Sequence, residues 1–387
     1  MLTSILVYTL TGLVLFALGW HVWTRENAVR ILRHDSTIIL PFPSWEILLS
    51  IVVFALVAGM RYHTGYDHEM YLRDYLSLQH VGECRDYEIG YKYLSRAFSW
   101  LGASSVVYFA IMGSLQLGFL YYGLYTRKQL IPWIALYLML GPWFLWCMNS
   151  MRQAVVACVF VSMLPLIVER RWKPYMLIVL LLATLHRSAI LLALAYFITY
   201  LPQGFLTRRW LLYVVLSACV LLGITPIWMH AREGCQKFLV YVGWQNYISF
   251  IDPILQGEFR HVSFGPSRMS NLFINCVIIW FYPRLREYFS GDKLLPLAFV
   301  FSLIGMFTFN LFVNTSFFVL RPFEYFLFFV LLMVGYTLCY LYSSKRWLPF
   351  AALSLASYTY IYIEIFKAVY RPSREIVPTL YHFAIVC

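Results

Sequence analysis

Apolar runs and polar punctuation alternate along the whole chain. The runs fall near 2–23, 44–60, 101–125, 131–148, 154–168, 174–186, 188–201, 211–229, 271–282, 294–313, 323–342 and 347–365. They predict about twelve transmembrane or re-entrant helices; a straight span needs about 20 residues, so the shorter runs are expected to be re-entrant or broken. A bilayer offers the backbone no hydrogen-bond partner, which makes the helix the default spanning element. The expected fold class is an all-α polytopic membrane protein, with a single integral domain over 1–387 and two longer loops near 61–100 and 230–270.

The connections sort into two alternating sets. One is short and basic: "TRENAVRILRHD" (24–35), "TRK" (126–128), "ERRWK" (169–173), "TRR" (207–209), "PRLREYFSGDK" (283–293) and "SSKR" (343–346). The other holds the two long loops and three tight polar turns, and most of the acidic residues. The positive-inside rule makes the basic set cytoplasmic and both long loops external. Residues 174–201 would place His186 and Arg187 at mid-bilayer if they formed one helix, at a cost of roughly 2.5–3.5 kcal/mol or more. Two short helices meeting at His186–Arg187 fit better.

Composition agrees: 61% of residues are hydrophobic and 12% charged, against about 25% charged in a soluble domain. The net charge of +12 follows from the basic connections, with some left over for an anionic substrate. No RNA- or DNA-binding motif appears, so nucleic acid is not an expected partner. The first run lacks a basic leader and a small-x-small cleavage site and reads as a retained span. The eight cysteines contain no C-x-x-C pair. Cys84 and Cys235, in the two long loops, would allow a disulfide if both face an oxidising compartment.

Four polar clusters fall on the predicted outer side. They are "RYHTGYDHEMY" (61–71), with Arg61, Gly65, Asp67 and Tyr71; "NSMRQAVVA" (149–157), with Asn149, Arg152 and Gln153; "ATLHRSAILL" (183–192), with His186, Arg187 and Ser188; and "FFVLRPFEYFLFF" (317–329), with Arg321 and Glu324. Each has a bland explanation. A lone arginine at a span end snorkels to the headgroups, a lone histidine packs through a hydrogen bond, and Arg321 and Glu324 can pair at i, i+3. Four such clusters on one face point instead to a substrate path. Guanidinium forks match phosphate oxygens. Asp67 and His186 are both suited to take a proton from an attacking hydroxyl. Gly65 permits a tight turn before Asp67. The combination suggests group transfer from a phosphorylated lipid donor.

These motifs, in this order, resemble the EpsG family of bacterial exopolysaccharide proteins, related to the Wzy polymerases. The pattern R-x-x-x-G-x-D-x-x-x-Y is matched by "RYHTGYDHEMY", N-x-x-R-Q by "NSMRQ", H-x-S-A by "HRSA" (186–189), and a late arginine followed by aromatics by "RPFEYF" (321–326), over roughly residues 45–330. The resemblance implies a GT-C-like inner-membrane glycosyltransferase that joins repeat units carried on undecaprenyl pyrophosphate, outside the cytoplasm. Donor and acceptor lipids and the bilayer would be its partners, with a chain-length regulator or flippase as further candidates, and no cofactor or metal is expected. Arg61, Asp67, Arg152, His186 and Arg321 carry over from their motifs. Arg152, Arg187 and Arg321 would hold the pyrophosphate, Asp67 or His186 would be the base, and Arg61 would orient Asp67 or touch the second pyrophosphate. Tyr71, Gln153 and Glu324 complete the candidate binding set. Glu69 of "DHE" lies outside the pattern. The aromatic loop 230–270 would offer stacking faces to sugars. A lipid-linked oligosaccharide flippase, an O-antigen ligase and a membrane O-acyltransferase are the competing readings.

Overall fold

The computed structural model describes residues 1–33, 39, 41–80, 87–225 apart from 201–207, 237, 240–241, 264–314, 317–372 and 377–384. Cys84, Cys235 and nearly all of 226–263 lie outside the described residues, and with them the disulfide and the sugar-stacking loop suggested above. Helices run Leu2–Leu32 (α1), Trp45–Gly59 (α2), His68–His80 (α3), Ile89–Trp100 (α4), Ser105–Gly123 (α5), Ile131–Leu140 (α6), Trp143–Asn149 (α7), Met151–Val168 (α8), Trp172–Leu185 (α9), Arg209–Ile224 (α10), Pro266–Tyr288 (α11), Leu294–Phe312 (α12), Phe317–Leu327 (α13), Phe329–Ser343 (α14), Trp347–Tyr358 (α15) and Tyr360–Tyr370 (α16). Two short strands, Arg61–Tyr62 (β1) and His382–Phe383 (β2), pair antiparallel.

The chain is a multi-pass helical membrane protein. Among the described residues six helices are long and apolar enough to cross a membrane, counting Leu320–Ser343 and Trp347–Tyr370 as continuous. A seventh is a broken span: Lys128–Leu140 and Trp143–Asn149 meet at 66°. The break falls at Gly141–Pro142, where proline has no N–H to continue the helix and starts the next one instead. Four further apolar helices, Trp45–Gly59, Trp172–Leu185, Arg187–Ile198 and Arg209–Ile224, are shorter. Where about twelve transmembrane or re-entrant helices were expected, the described residues hold full spans, a bent pair and short helices, and the 271–282 run lies within α11. Residues 61–100, expected as a loop, hold α3 and α4.

Helix α1 displays the membrane logic directly. Its buried stripe is Ser4, Tyr8, Thr11, Leu15, Gly19 and Val22, while Leu2, Leu6, Leu10 and Leu13 face outward. Spacings of three and four put each set on one side of the helix. Small and hydroxylated residues fill most of the inner stripe beside Leu15 and Val22, while most leucines face out, because lipid is as apolar as leucine and close packing and internal hydrogen bonds decide which face turns inward. Helix α14 is buried from Phe329 to Leu341 and forms the centre, with α6, α11 and α12 against it.

The chain reverses at His186, as expected from a charge pair that has no place at mid-bilayer. Helix α9 ends at Leu185, His186 is extended (φ −154°, ψ 115°), and a run of 3-10 turns around one α-helical turn follows. The Tyr175 hydroxyl donates to the Leu192 carbonyl at 2.6 Å, closing the hairpin. Three basic linkers meet at the other end of the bundle. Arg127 grips Asp292 through two hydrogen bonds of 2.7 and 2.6 Å, the Tyr336 hydroxyl donates to the same carboxylate, and Lys128 pairs with Glu26. The linkers assigned to one side by charge therefore share one side in space.

Helices α12 and α13 touch backbone to backbone at Gly305. A Cβ there would stand 2.3 Å from Leu327 Cα and N. Gly305→Ala is expected to cost about 1–3 kcal/mol of stability. Thermal unfolding in detergent should show a lower Tm for it, with Gly291→Ala, where nothing stands within 4 Å, unchanged.

Candidate functional site

The stretch after α2 is shaped by Gly65. Its φ of +93° is open to glycine at no steric cost, and an added Cβ would meet the Met148 carbonyl at 3.3 Å. The turn delivers the Asp67 backbone N–H to Asn149 Oδ1 at 2.8 Å. The C-terminal tail locks it from the other side. Gly65 N–H donates to the Pro378 carbonyl at 2.9 Å, Ala384 N–H to the Met60 carbonyl at 2.8 Å, and the Thr64 hydroxyl to the Leu380 carbonyl at 3.1 Å.

Asp67 is half-buried and faces Arg321, whose Nη2 lies 3.4 Å from Oδ2. Burial raises its carboxyl above the usual aspartate value, although the Arg321 and Arg152 charges pull it down. Arg321 sits in α13 beside Gln153 of α8, which donates from Nε2 to the Arg321 carbonyl at 2.5 Å. Glu324, one turn on, accepts the Trp146 indole N–H at 3.0 Å. The Tyr325 and Ser188 hydroxyls are 2.9 Å apart, tying α13 to the turn after α9.

Glu88, at the entry to α4, collects the remaining charges. Arg152 pairs with it through Nη1, the Arg187 backbone N–H donates to it at 3.0 Å, and His186 Nδ1 lies 3.6 Å away. Burial alone would raise this carboxyl. The His186 ring, the Arg187 N–H and the Arg152 charge outweigh that and hold it well below the usual carboxylate range. The Arg152 guanidinium also lies over the rings of Tyr87 (4.6 Å) and Tyr91 (5.0 Å), and Tyr71 stacks on Tyr87. Aromatic faces add cation–π attraction to the ion pair.

A cavity of about 470 Å³ opens beside this cluster. Gly65, Tyr66, Asn149, Glu324, Trp143 and Trp146 line it together with Arg268 of α11. A more open cavity of about 750 Å³ shares Gly65, Tyr66 and Pro378 with it and reaches His63, Glu69 and His382. Arg187 and Glu88 border a third, of about 520 Å³.

The family model for EpsG matches residues 45–378. The chain belongs to the EpsG family. No curated protein and no solved structure matches it. The EpsG match starts at the first residue of α2 and ends at Pro378, the residue whose carbonyl holds Gly65. It therefore reaches beyond the four motifs and takes in the tail that seats the first of them.

Of the residues singled out from the sequence of this EpsG-family chain, Asp67, Arg152, Gln153, His186, Arg187, Arg321, Glu324 and Tyr71 come together. Arg61 does not join them. It is 1% exposed, its guanidinium lies over Phe109 at 5.0 Å and its Nη1 turns to Met148 Sδ. Among the described residues its Nε and Nη2 have no hydrogen-bond partner, so it does not hold Asp67 directly, and it lines none of the three cavities. Burial lowers it to about 10, still charged at neutral pH. His68 is buried against Phe109, and burial and the Arg61 charge lower it to about 3. Glu69 pairs with Arg73 on the surface of α3. Glu88 and Arg268 escaped the sequence reading. Glu88 looks like an ordinary acid before a helix; Arg268 looks like a cation at a span end. Nothing local marks Glu88, since Arg85 and Lys92 stand three and four residues away as ordinary partners.

Removing one partner of a buried ion pair strands the other, at about 3–5 kcal/mol. Glu88→Ala and Arg152→Ala should each destabilise on that scale, with the double variant losing far less than their sum. Unfolding free energies around the double-mutant cycle measure the coupling.

Proposed function

We propose that this protein is a glycosyltransferase that joins oligosaccharide repeat units carried on undecaprenyl pyrophosphate, at the extracytoplasmic face of the bacterial inner membrane. What supports the reading is the convergence of four separate motif segments, together with Glu88, on one polar cluster beside an aromatic-lined cavity. Such groups are expensive inside an apolar bundle and are retained where they handle a substrate. Membership of the EpsG family supports the same class of chemistry.

The reaction requires an acceptor hydroxyl oxygen to attack the anomeric carbon of the donor sugar. The bond from that carbon to the pyrophosphate oxygen breaks, undecaprenyl pyrophosphate leaves, and the hydroxyl proton passes to a base. In our assignment Asp67 is the base. Its 3.4 Å contact with Arg321 is loose, so a pyrophosphate oxygen drawing on Arg321 frees the carboxylate to accept a proton. Arg321, with the exposed guanidinium of Arg187, stabilises charge on the leaving group. A preorganised donor of this kind is worth about 2.7–4 kcal/mol of barrier. Arg152, engaged by Glu88 and two tyrosines, positions the site and adds long-range positive potential. His186, braced by Glu88, is the competing base.

The test uses purified protein with a lipid-linked repeat unit, scoring product chain length. Asp67→Asn and Arg321→Gln should each lower polymerisation by about 100-fold or more; wild-type rates in both would sink the assignment. A flippase would move substrate without lengthening it. With Asp67 as base, activity falls as pH drops through its raised pKa. Arg321→Gln removes a charge that favours the carboxylate, so the residual activity should lose its acid limb at higher pH than wild type. A shift in Glu88→Gln but not in Arg321→Gln would transfer the role to His186.

A further inference from the structure

Every motif arginine in the polar cluster except Arg187 already faces a carboxylate. Among the described residues Arg268 does not. It is 8% exposed, its Nε and Nη2 have no hydrogen-bond partner among the described residues, and it lines the 470 Å³ cavity. Its one described contact is with the face of Phe264, 5.4 Å from the ring centroid. The two carboxylates on the same cavity wall are engaged elsewhere. Glu364 is held by Lys367 at 2.7 Å and by the Ser267 hydroxyl at 2.6 Å, and Glu324 by Trp146. Arg268 is also the third residue of α11, which begins with Pro266 after Gly265 and has no side-chain cap. Pro266 has no N–H, and the Arg268 and Met269 N–H groups donate to the Gly265 carbonyl at 3.0 and 3.1 Å, which leaves the Ser267 N–H and the positive end of the helix dipole to favour an anion. A guanidinium kept from water without a counter-charge is costly, and a bound anion removes that cost.

We infer that Arg268 and the start of α11 form a second anion subsite, taking the pyrophosphate of a second lipid-linked molecule. This rests on the glycosyl-transfer reading and deepens it. Joining two lipid-linked units requires two pyrophosphates to be held at once. Arg321 and Arg187 serve the donor, and Arg268 serves the acceptor. Trp143, Trp146 and Tyr66 line the same cavity as Arg268, and the glycan would lie against them. A planar fork suits two phosphate oxygens in a way that an ammonium does not.

The experiment measures binding of undecaprenyl pyrophosphate, undecaprenol and a uronic-acid disaccharide to the full-length protein in nanodiscs. Undecaprenyl pyrophosphate should bind wild type at two sites and undecaprenol much more weakly. Arg268→Gln should weaken one site by about 10- to 100-fold, Arg268→Lys less, and Arg321→Gln the other site. Lys keeps the charge, so its intermediate loss separates ligand binding from misfolding, and equal thermal melts check the fold. Two sites left within about twofold of wild type in Arg268→Gln would overturn the inference and leave the glycosyl-transfer reading standing. Loss of uronic-acid binding alone would make the anion a sugar carboxylate and reject the phosphate assignment. No pyrophosphate binding to wild type would remove both readings.

Discussion

A guanidinium in an apolar bundle is costly without an anion, and Arg152 is given one in Glu88. Arginine cannot escape the requirement by losing its proton. The ion pair draws the segment before α4 onto the start of α8 and the end of α9, since Glu88 also receives the Arg187 N–H and faces His186. The extended backbone of His186 exposes that N–H, so the break in α9 and the carboxylate that meets it belong to one arrangement. The rings of Tyr87 and Tyr91 lie against the Arg152 guanidinium and add cation–π attraction to the pair.

Charge is used differently at the two ends of the bundle. At the end where the basic linkers gather, Arg127, Asp292 and Tyr336 form a closed set with short hydrogen bonds, and Lys128 is buried with Glu26. These contacts fasten loops. At the other end Asp67 and Arg321 stand at 3.4 Å, Arg187 is exposed, and Arg268 is buried with two nitrogens unpartnered among the described residues. A completed pair has little left to offer a ligand. The Asp67–Arg321 contact is longer than those of the closed set, Arg187 and Arg268 each line a cavity, and the difference separates the structural arginines from the candidates for chemistry.

Much of this was legible in residue order. The motif around Gly65 announced a tight turn ahead of Asp67, and the glycine does adopt a positive φ. His186 and Arg187 announced a break, because a charge at mid-span is expensive, and the helix ends at Leu185. Glu88 was not legible because its partner is 64 positions away and its local setting is that of an acid opening a helix. Arg61 misled for the opposite reason. It shares a motif with Asp67, yet β1 turns it inward against Phe109 and Met148.

By itself the sequence determined the membrane class, the helical fold, the family and most of the residues that converge on the site. Those properties follow from hydropathy, charge placement and local motif spacing, which are all properties of neighbours in the chain. Tertiary structure alone brought Glu88 to Arg152 and turned Arg61 away from Asp67. It also seated the tail at 377–384 on the turn that holds Asp67, and it set Arg268 in one cavity with Glu324 and Trp146. Pairing depends on distance in space, and in a bundle of antiparallel helices residues hundreds of positions apart meet as readily as neighbours.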